Sequence, residues 1–177
     1  MANTEIMIAG FGGQGILSMG KLIAHAGMNE GKNVSWLPSY GPEMRGGTAN
    51  CAVVVSDELV GSPVLARADV LIVMNGPSLE KFEDIVRPGG LIIVDSSLVQ
   101  NEVTRTDVTV KKVPATKMAS DEGVMAFAGI YLLGKLIGET GVVTTESFES
   151  ALKDTLPEKH QKLIPKEMQV LQTGIEY

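Results

Sequence analysis

The sequence is short of the residues on which several kinds of chemistry depend. Its 177 residues include one cysteine, Cys51, and two histidines, His25 and His160. One thiol excludes a zinc site or iron–sulfur cluster built from several thiolates of a single chain. Cys51 sits in the alternating run TANCAVVV, where a small buried thiol is expected rather than a nucleophile. Neither histidine has a partner pattern around it, so both read as structural or surface residues. Aromatics are only 5% of the chain, too few for a platform that stacks single-stranded nucleic acid. Positive charge is also in deficit. With 15 Lys and Arg against 21 Asp and Glu, the net charge is −6, which argues against a nucleic-acid or anionic-membrane surface. The longest strongly apolar, uncharged run, Gly123 to Gly134, is too short to cross a bilayer. The N-terminus enters a strand pattern at once, without the basic and apolar regions of a signal peptide, so a cytoplasmic location is expected. A chain of this length is expected to form one domain, residues 1–177, burying roughly 70% of its unfolded surface.

Glycine, in contrast, is plentiful and concentrated. The stretch EIMIAGFGGQGILSMG, Glu5 to Gly20, opens with a short apolar run fit to be a strand buried on both faces. Gly10, Gly12 and Gly15 then fill the glycine positions of G-x-G-x-x-G, with Gly13 and Gln14 between them. Ile16, Met19, Gly20, Ile23 and Gly27 follow at helical spacing. In such a strand–turn–helix unit the first glycine permits a tight turn, the second admits a phosphate to the backbone, and the third lets helix and strand pack closely. Free N–H groups at the helix start suit an anion. The same turn would also serve as a tight connection that merely packs. A second strand is expected at Val34 to Leu37, but no Asp or Glu ends it to hold ribose hydroxyls; Ser35 or Trp36 stands there. This counts against a standard NAD site.

The second distinctive stretch is PSYGPEMRGG, Pro38 to Gly47, two prolines and three glycines in ten residues. It reads as an irregular loop presenting Tyr40, Glu43, Met44 and Arg45, either as a site or subunit contact or as a packed tyrosine beside a Glu43–Arg45 pair. Strands are expected at Thr48–Ser56, Ala68–Asn75, Leu91–Val94 and Val108–Val113, with a short return strand at Leu59-Val60. Asn75 or Gly76 can cap a helix with Pro77 at its start, running through Leu79, Phe82 and Val86 until Arg87-Pro88-Gly89-Gly90 stops it. Asn75 and Asp95 to Ser97 occupy strand ends where ligands of open α/β sheets bind, and where caps are equally common. A helix from about Asp121 to Gly138 is apolar nearly all round, which demands burial in the core or in a subunit interface. On the interface reading the isolated chain is a homo-oligomer. Two more helices are expected, at Glu146–Leu156 and Pro165–Gly174. Strands alternating with helices imply an α/β fold, a mostly parallel sheet with helices on both faces.

GFGGQGI, SYGPEMRGG, Ser62-Pro63, Ala68-Asp69 and RPGGLIIVDSS form an ordered series. It resembles the gamma subunit of 2-oxoacid:ferredoxin oxidoreductases over roughly residues 5 to 140. Enzymes of that family oxidatively decarboxylate a 2-oxoacid with thiamine diphosphate, pass the acyl group to coenzyme A and send electrons through iron–sulfur clusters to ferredoxin. The resemblance therefore implies a subunit with no catalytic residue of its own. Magnesium, thiamine diphosphate and clusters would be carried by alpha, beta and a ferredoxin-like delta subunit; this chain has no GDG motif for the first two. Gly10, Gly12, Gly13, Gln14 and Gly15 match the family's glycine turn, which would hold coenzyme A phosphates or another anion. Tyr40, Gly41, Pro42, Glu43, Arg45, Gly46 and Gly47 match its long loop, which would dock against the thiamine-bearing chains. Asn75 and Ser96 would border that active site. A sister family, the indolepyruvate:ferredoxin oxidoreductase beta subunit, carries a GMSQRGG-like loop and an acid where this chain has Asn75-Gly76-Pro77-Ser78. Both departures favour the gamma family. Among 2-oxoacids the overall look inclines to 2-oxoglutarate, with pyruvate and branched-chain oxoacids as alternatives. A stand-alone dinucleotide-binding protein is the competing class.

Overall fold

A computed structural model describes residues 3–40 and 48–177, with Tyr40 as backbone alone. The loop residues Gly41, Pro42, Glu43, Met44, Arg45, Gly46 and Gly47 lie outside the described residues. The strands are β1 (Asn3–Phe11), β2 (Asn33–Tyr40), β3 (Thr48–Ser56), β4 (Ala68–Val73), β5 (Val86–Asp95) and β6 (Thr109–Val113). The helices are α1 (Ile16–Asn29), α2 (Gly76–Phe82), α3 (Ala115–Glu122), α4 (Phe127–Thr140), α5 (Thr145–Thr155) and α6 (Ile164–Glu176). The six strands form one sheet in the order β2-β3-β1-β4-β5-β6. Pairing is parallel from β1 through β4 and β5 to β6, and β3 alone runs against its neighbours β1 and β2. The expected mostly parallel α/β architecture holds.

The central strands read as continuous apolar runs because both faces are covered. On one face Ile6, Ile8 and Ile72 pack beneath α1, α4, α5 and α6; on the other Met7, Leu71 and Ile92 pack against Leu79 of α2 and Val99. At the amino-terminal edge Arg87 clasps three strands, donating to Asp69 at 2.8 Å and Glu5 at 2.7 Å. This explains a departure from the sequence reading. Residues 83–85 form a 3-10 turn and Val86 already belongs to β5, so RPGG lies within a strand rather than ending a helix. The irregular register between Ala68 and Val70 absorbs the two glycines.

Other expectations also change. Leu59-Val60 forms no strand, and Leu59 is 87% exposed. Pro38 to Tyr40 continue β2 instead of opening the loop. Proline is tolerated there because β2 is an edge strand. The helix expected from Asp121 is two helices. Gly123, at φ 78, ends α3, and α4 starts at Phe127. Leu132, Leu133 and Leu136 of α4 are fully buried. The covering partner is α6: Gly134 and Gly174 let the two backbones meet, with the Gly134 Cβ position 3.0 Å from Gly174 Cα. Residues 127–137 of α4 are therefore buried within the chain itself, as the core reading of this segment expects.

In the first turn of α6, Glu167 is 8% exposed and its Oε2 lacks a partner among the described residues. Burial raises its carboxyl pKa, outweighing the favourable helix start. A carboxyl whose pKa is raised on folding favours the folded state most below about pH 4.5, and that contribution is lost as pH rises through the folded value. Glu167→Gln is thus expected to gain about 1 kcal/mol over the parent at pH 8 and nothing at pH 4. Urea unfolding at both pH values checks this; an equal difference at the two would refute it.

Candidate functional site

The carboxyl ends of β1, β4, β5 and β6 lie along one edge of the sheet, and the glycine turn opens there. The chain leaves β1 for α1 on one face and β4 for α2 on the other. The gap between β1 and β4 is therefore a topological switch point, where open α/β sheets bind ligands. Gln14 spans it. Its Oε1 accepts from Phe11 N at 2.6 Å and its Nε2 donates to the Met74 carbonyl at 3.2 Å.

The glycines divide their work differently from the pattern's usual roles. Gly10 belongs to β1, and a Cβ there would strike Gln14 Oε1 and come within 2.9 Å of Ile16 Cδ1. Gly13 and Gly15 carry φ of 92° and 79°, a region L side chains rarely adopt. Gly15 is the N-cap of α1 and has open space around it, so it shapes the turn and does not serve helix–strand packing. Close packing comes from Gly20 against Cys51, Val53 and Trp36, and from Gly27 against Val34 and Val55. The helix start has no side-chain cap, which leaves its first N–H groups free for a ligand or water.

The turn opens on a cleft of about 570 Å³. Gly13, Gln14, Gly15 and Ser18 form one wall, Leu98 and Thr116 the other, and Met19, Met74, Met125 and Leu133 add an apolar surface. Among the described residues none that lines it is charged. Neutral donors, the turn N–H groups and the Ser18 hydroxyl, would have to satisfy an anion. Leu98 and Met125, both exposed, stand among the lining residues.

Asn75, 3% exposed, caps α2 by accepting from Ser78 N at 2.8 Å. Ser96 donates its backbone N–H to the Val113 carbonyl. Neither lines the cleft. The fully buried Asp95 accepts from Ser97 N and Oγ and from Thr116 N and Oγ1, so it caps α3 from a neighbouring strand. Asp95 thus serves as a cap, one of the two roles expected of this strand end. Sequence reasoning missed Thr116, because α3 carries too weak an apolar pattern to be recognised, and Leu98 and Met125, which stand in turns outside any periodic element.

The long loop falls outside the described residues, but its flanks are informative. Thr48 pairs with Phe11, and Ala49 pairs with both Gly10 and Tyr40. Both loop ends thus meet the sheet edge beside the glycine turn. The same pairing explains the missing ribose acid. β1 is flanked by the antiparallel β3, whose amino end faces the turn, so β2 lies too far out for its carboxyl end to serve a ribose.

Burial pushes the Cys51 thiol up to about 12, against the opposing pull of Trp36 and Gly20, so it remains a protonated core residue. Among the described residues no group of three His, Cys, Asp or Glu side chains could hold a metal ion. These residues do not fit an iron–sulfur cluster or a magnesium–thiamine diphosphate site. His25 lies 3.0 Å from Asp154 and joins α1 to α5. No helix among the described residues is long and apolar enough to cross a membrane.

Comparison with known proteins gives this geometry a family. The family described as pyruvate ferredoxin/flavodoxin oxidoreductase matches residues 5–177, so the likeness extends through the C-terminal helices. Ketoisovalerate oxidoreductase subunit VorA of Methanothermobacter thermautotrophicus is 43% identical over 98% of this chain, which spans 36% of VorA's length. The 2-oxoglutarate synthase subunit KorC of Methanocaldococcus jannaschii is 37% identical over 86% of this chain and 83% of its own. The structure of the keto/oxoacid ferredoxin oxidoreductase gamma subunit from Geobacter sulfurreducens superposes with a TM-score of 0.81 at 30% identity, covering 98% of this chain and 96% of that one. The chain belongs to the pyruvate ferredoxin/flavodoxin oxidoreductase family, as a domain of its gamma-subunit type.

Proposed function

We propose that this chain is the gamma component of a complex that oxidatively decarboxylates a 2-oxoacid, transfers the acyl group to coenzyme A and reduces ferredoxin. Thiamine diphosphate, magnesium and iron–sulfur clusters belong to alpha, beta and delta partners on this reading, in keeping with the poor metal-donor set of this chain. Its own task is to hold coenzyme A. One observation carries this: the glycine turn lies at the switch point and opens on a largely apolar cleft with no charged lining among the described residues. Phosphate oxygens would accept from the turn N–H groups, which cost no reorganisation, while a neutral arm lies along Met19, Met74 and Leu133. The loop that joins Tyr40 to Thr48, with Arg45, docks the domain on the thiamine-bearing chains.

The names of the relatives divide among ketoisovalerate, 2-oxoglutarate and pyruvate, so the reading commits to the 2-oxoacid class. The test is anaerobic purification of the tagged chain from its host, followed by coenzyme A-dependent dye reduction across these oxoacids. Activity with co-purifying iron and thiamine-binding chains is expected, and the preferred oxoacid names the substrate. A chain that emerges alone and inactive would overturn the reading. In the assembled enzyme, Gly15→Val is expected to raise the KM for coenzyme A by about 5- to 30-fold, because the turn loses its left-handed residue at a cost of about 1–2 kcal/mol. An unchanged KM would remove the turn from the site.

A further inference from the structure

We propose that Lys21, in a hollow adjoining this cleft, is a second anion contact, holding a phosphate separate from the one at the glycine turn. The inference rests on the coenzyme A reading above. Three hollows along the outer face of α1 share Ser18. One, of about 430 Å³, lies over Phe11, Gly12 and Leu17; the main cleft follows; a third, of about 190 Å³, continues past Leu22 to Lys21, Thr155 and Leu156. Among the described residues no Asp or Glu lines any of them, in a chain with a net charge of −6. An acid-free path over an acidic protein selects for an anion.

Among the described residues Lys21 is the only charged one lining the path. Among the described residues no carboxylate pairs with it, whereas Lys32, Lys111, Lys112, Lys117, Lys135 and Lys166 are tied into ion pairs. Asp154, next to Thr155, is engaged by His25 at 3.0 Å and Asn29 at 3.3 Å. Among the described residues Lys153, Lys159 and Lys162 also lack an ion pair but line none of the three hollows, so Lys21 is the ammonium placed for a phosphate to supply its counter-charge.

Spacing narrows the ligand class. Gly15 and Lys21 are six residues apart, roughly 9 Å along a helix axis, and a flexible four-carbon stem adds reach. The ligand that fits has one anionic group at the turn, a second at about that distance, and an uncharged body over the apolar wall. Coenzyme A has this distribution: a diphosphate, a separate 3′-phosphate on the ribose, and a neutral pantetheine arm. Lysine, a compact point charge, suits the terminal 3′-phosphate.

The test is steady-state kinetics of the assembled complex with coenzyme A and 3′-dephospho-coenzyme A as acyl acceptors. The parent enzyme is expected to prefer coenzyme A by roughly tenfold in KM. Lys21→Gln should raise the KM for coenzyme A by that factor while leaving the KM for the dephospho compound and kcat unchanged, and Lys21→Arg should keep the preference. A parent enzyme indifferent to the 3′-phosphate would overturn the assignment. So would a Lys21→Gln variant that retains the preference or weakens both acceptors alike. Failure of the underlying coenzyme A reading looks different: Gly15→Val would then leave both KM values unchanged.

Discussion

Gly134→Ala is expected to destabilise the protein by about 3 kcal/mol, although alanine is the better helix former by roughly 1 kcal/mol. Packing decides the sign. A Cβ at position 134 would press on the Leu171 carbonyl oxygen and come within 3.0 Å of Gly174 Cα and Ile175 N, all backbone atoms that cannot rotate away. The mirror contact has Gly174 against the Tyr131 carbonyl, so α4 and α6 would have to separate along several residues. Separation would open voids beside Leu132 and Leu171, both fully buried. Chemical denaturation should show a lower midpoint with an unchanged slope. Gly61→Ala, with nothing within 4 Å of its Cβ position, is the control and should stay within about 0.5 kcal/mol of the parent. If the two variants were equally stable, the close crossing of α4 and α6 would be refuted.

Asp95→Ala should cost a comparable amount, about 3 kcal/mol, by a different route. The carboxylate of Asp95 accepts from Ser97 Oγ and Thr116 Oγ1, each at 2.5 Å, and from the Thr116 backbone N–H at 3.2 Å. Alanine removes the acceptor that these part-buried bonds share, leaves a void at the fully buried position 95 and takes the cap from α3, whose own N-cap residue, Pro114, makes no side-chain cap bond. Thr116 lines the cleft, so the far wall should loosen and the KM for coenzyme A should rise together with the loss of stability. Ser96→Ala, where the backbone alone is bonded, should leave both measurements near those of the parent. An Asp95→Ala protein of parental stability would show that the capping network carries no weight.

The sequence by itself determined the elements whose cause is local. Ile6 to Ala9, Val70 to Val73 and Leu91 to Val94 are apolar on both faces and read as interior strands. Gly13 and Gly15 can adopt the left-handed conformation that joins β1 to α1, and a single cysteine rules out a thiolate cluster within the chain. The ordered motifs pointed to the gamma family, and the comparison bears this out.

Tertiary structure decided what depends on residues far apart in the chain. The all-round apolar α4 demanded a cover, but hydrophobic periodicity does not say which surface provides it; α6, some forty residues later, does. The antiparallel direction of β3 followed from pairing with β1, and it removed the strand end on which a ribose acid would stand. Asp95 became a cap because Thr116, 21 residues away, returns to it. The cleft draws its walls from the glycine turn, Met74, Leu98, Thr116 and α4, segments that are neighbours only after the sheet has formed. A residue's polarity is written in the sequence, whereas its partner is chosen by how the whole chain packs.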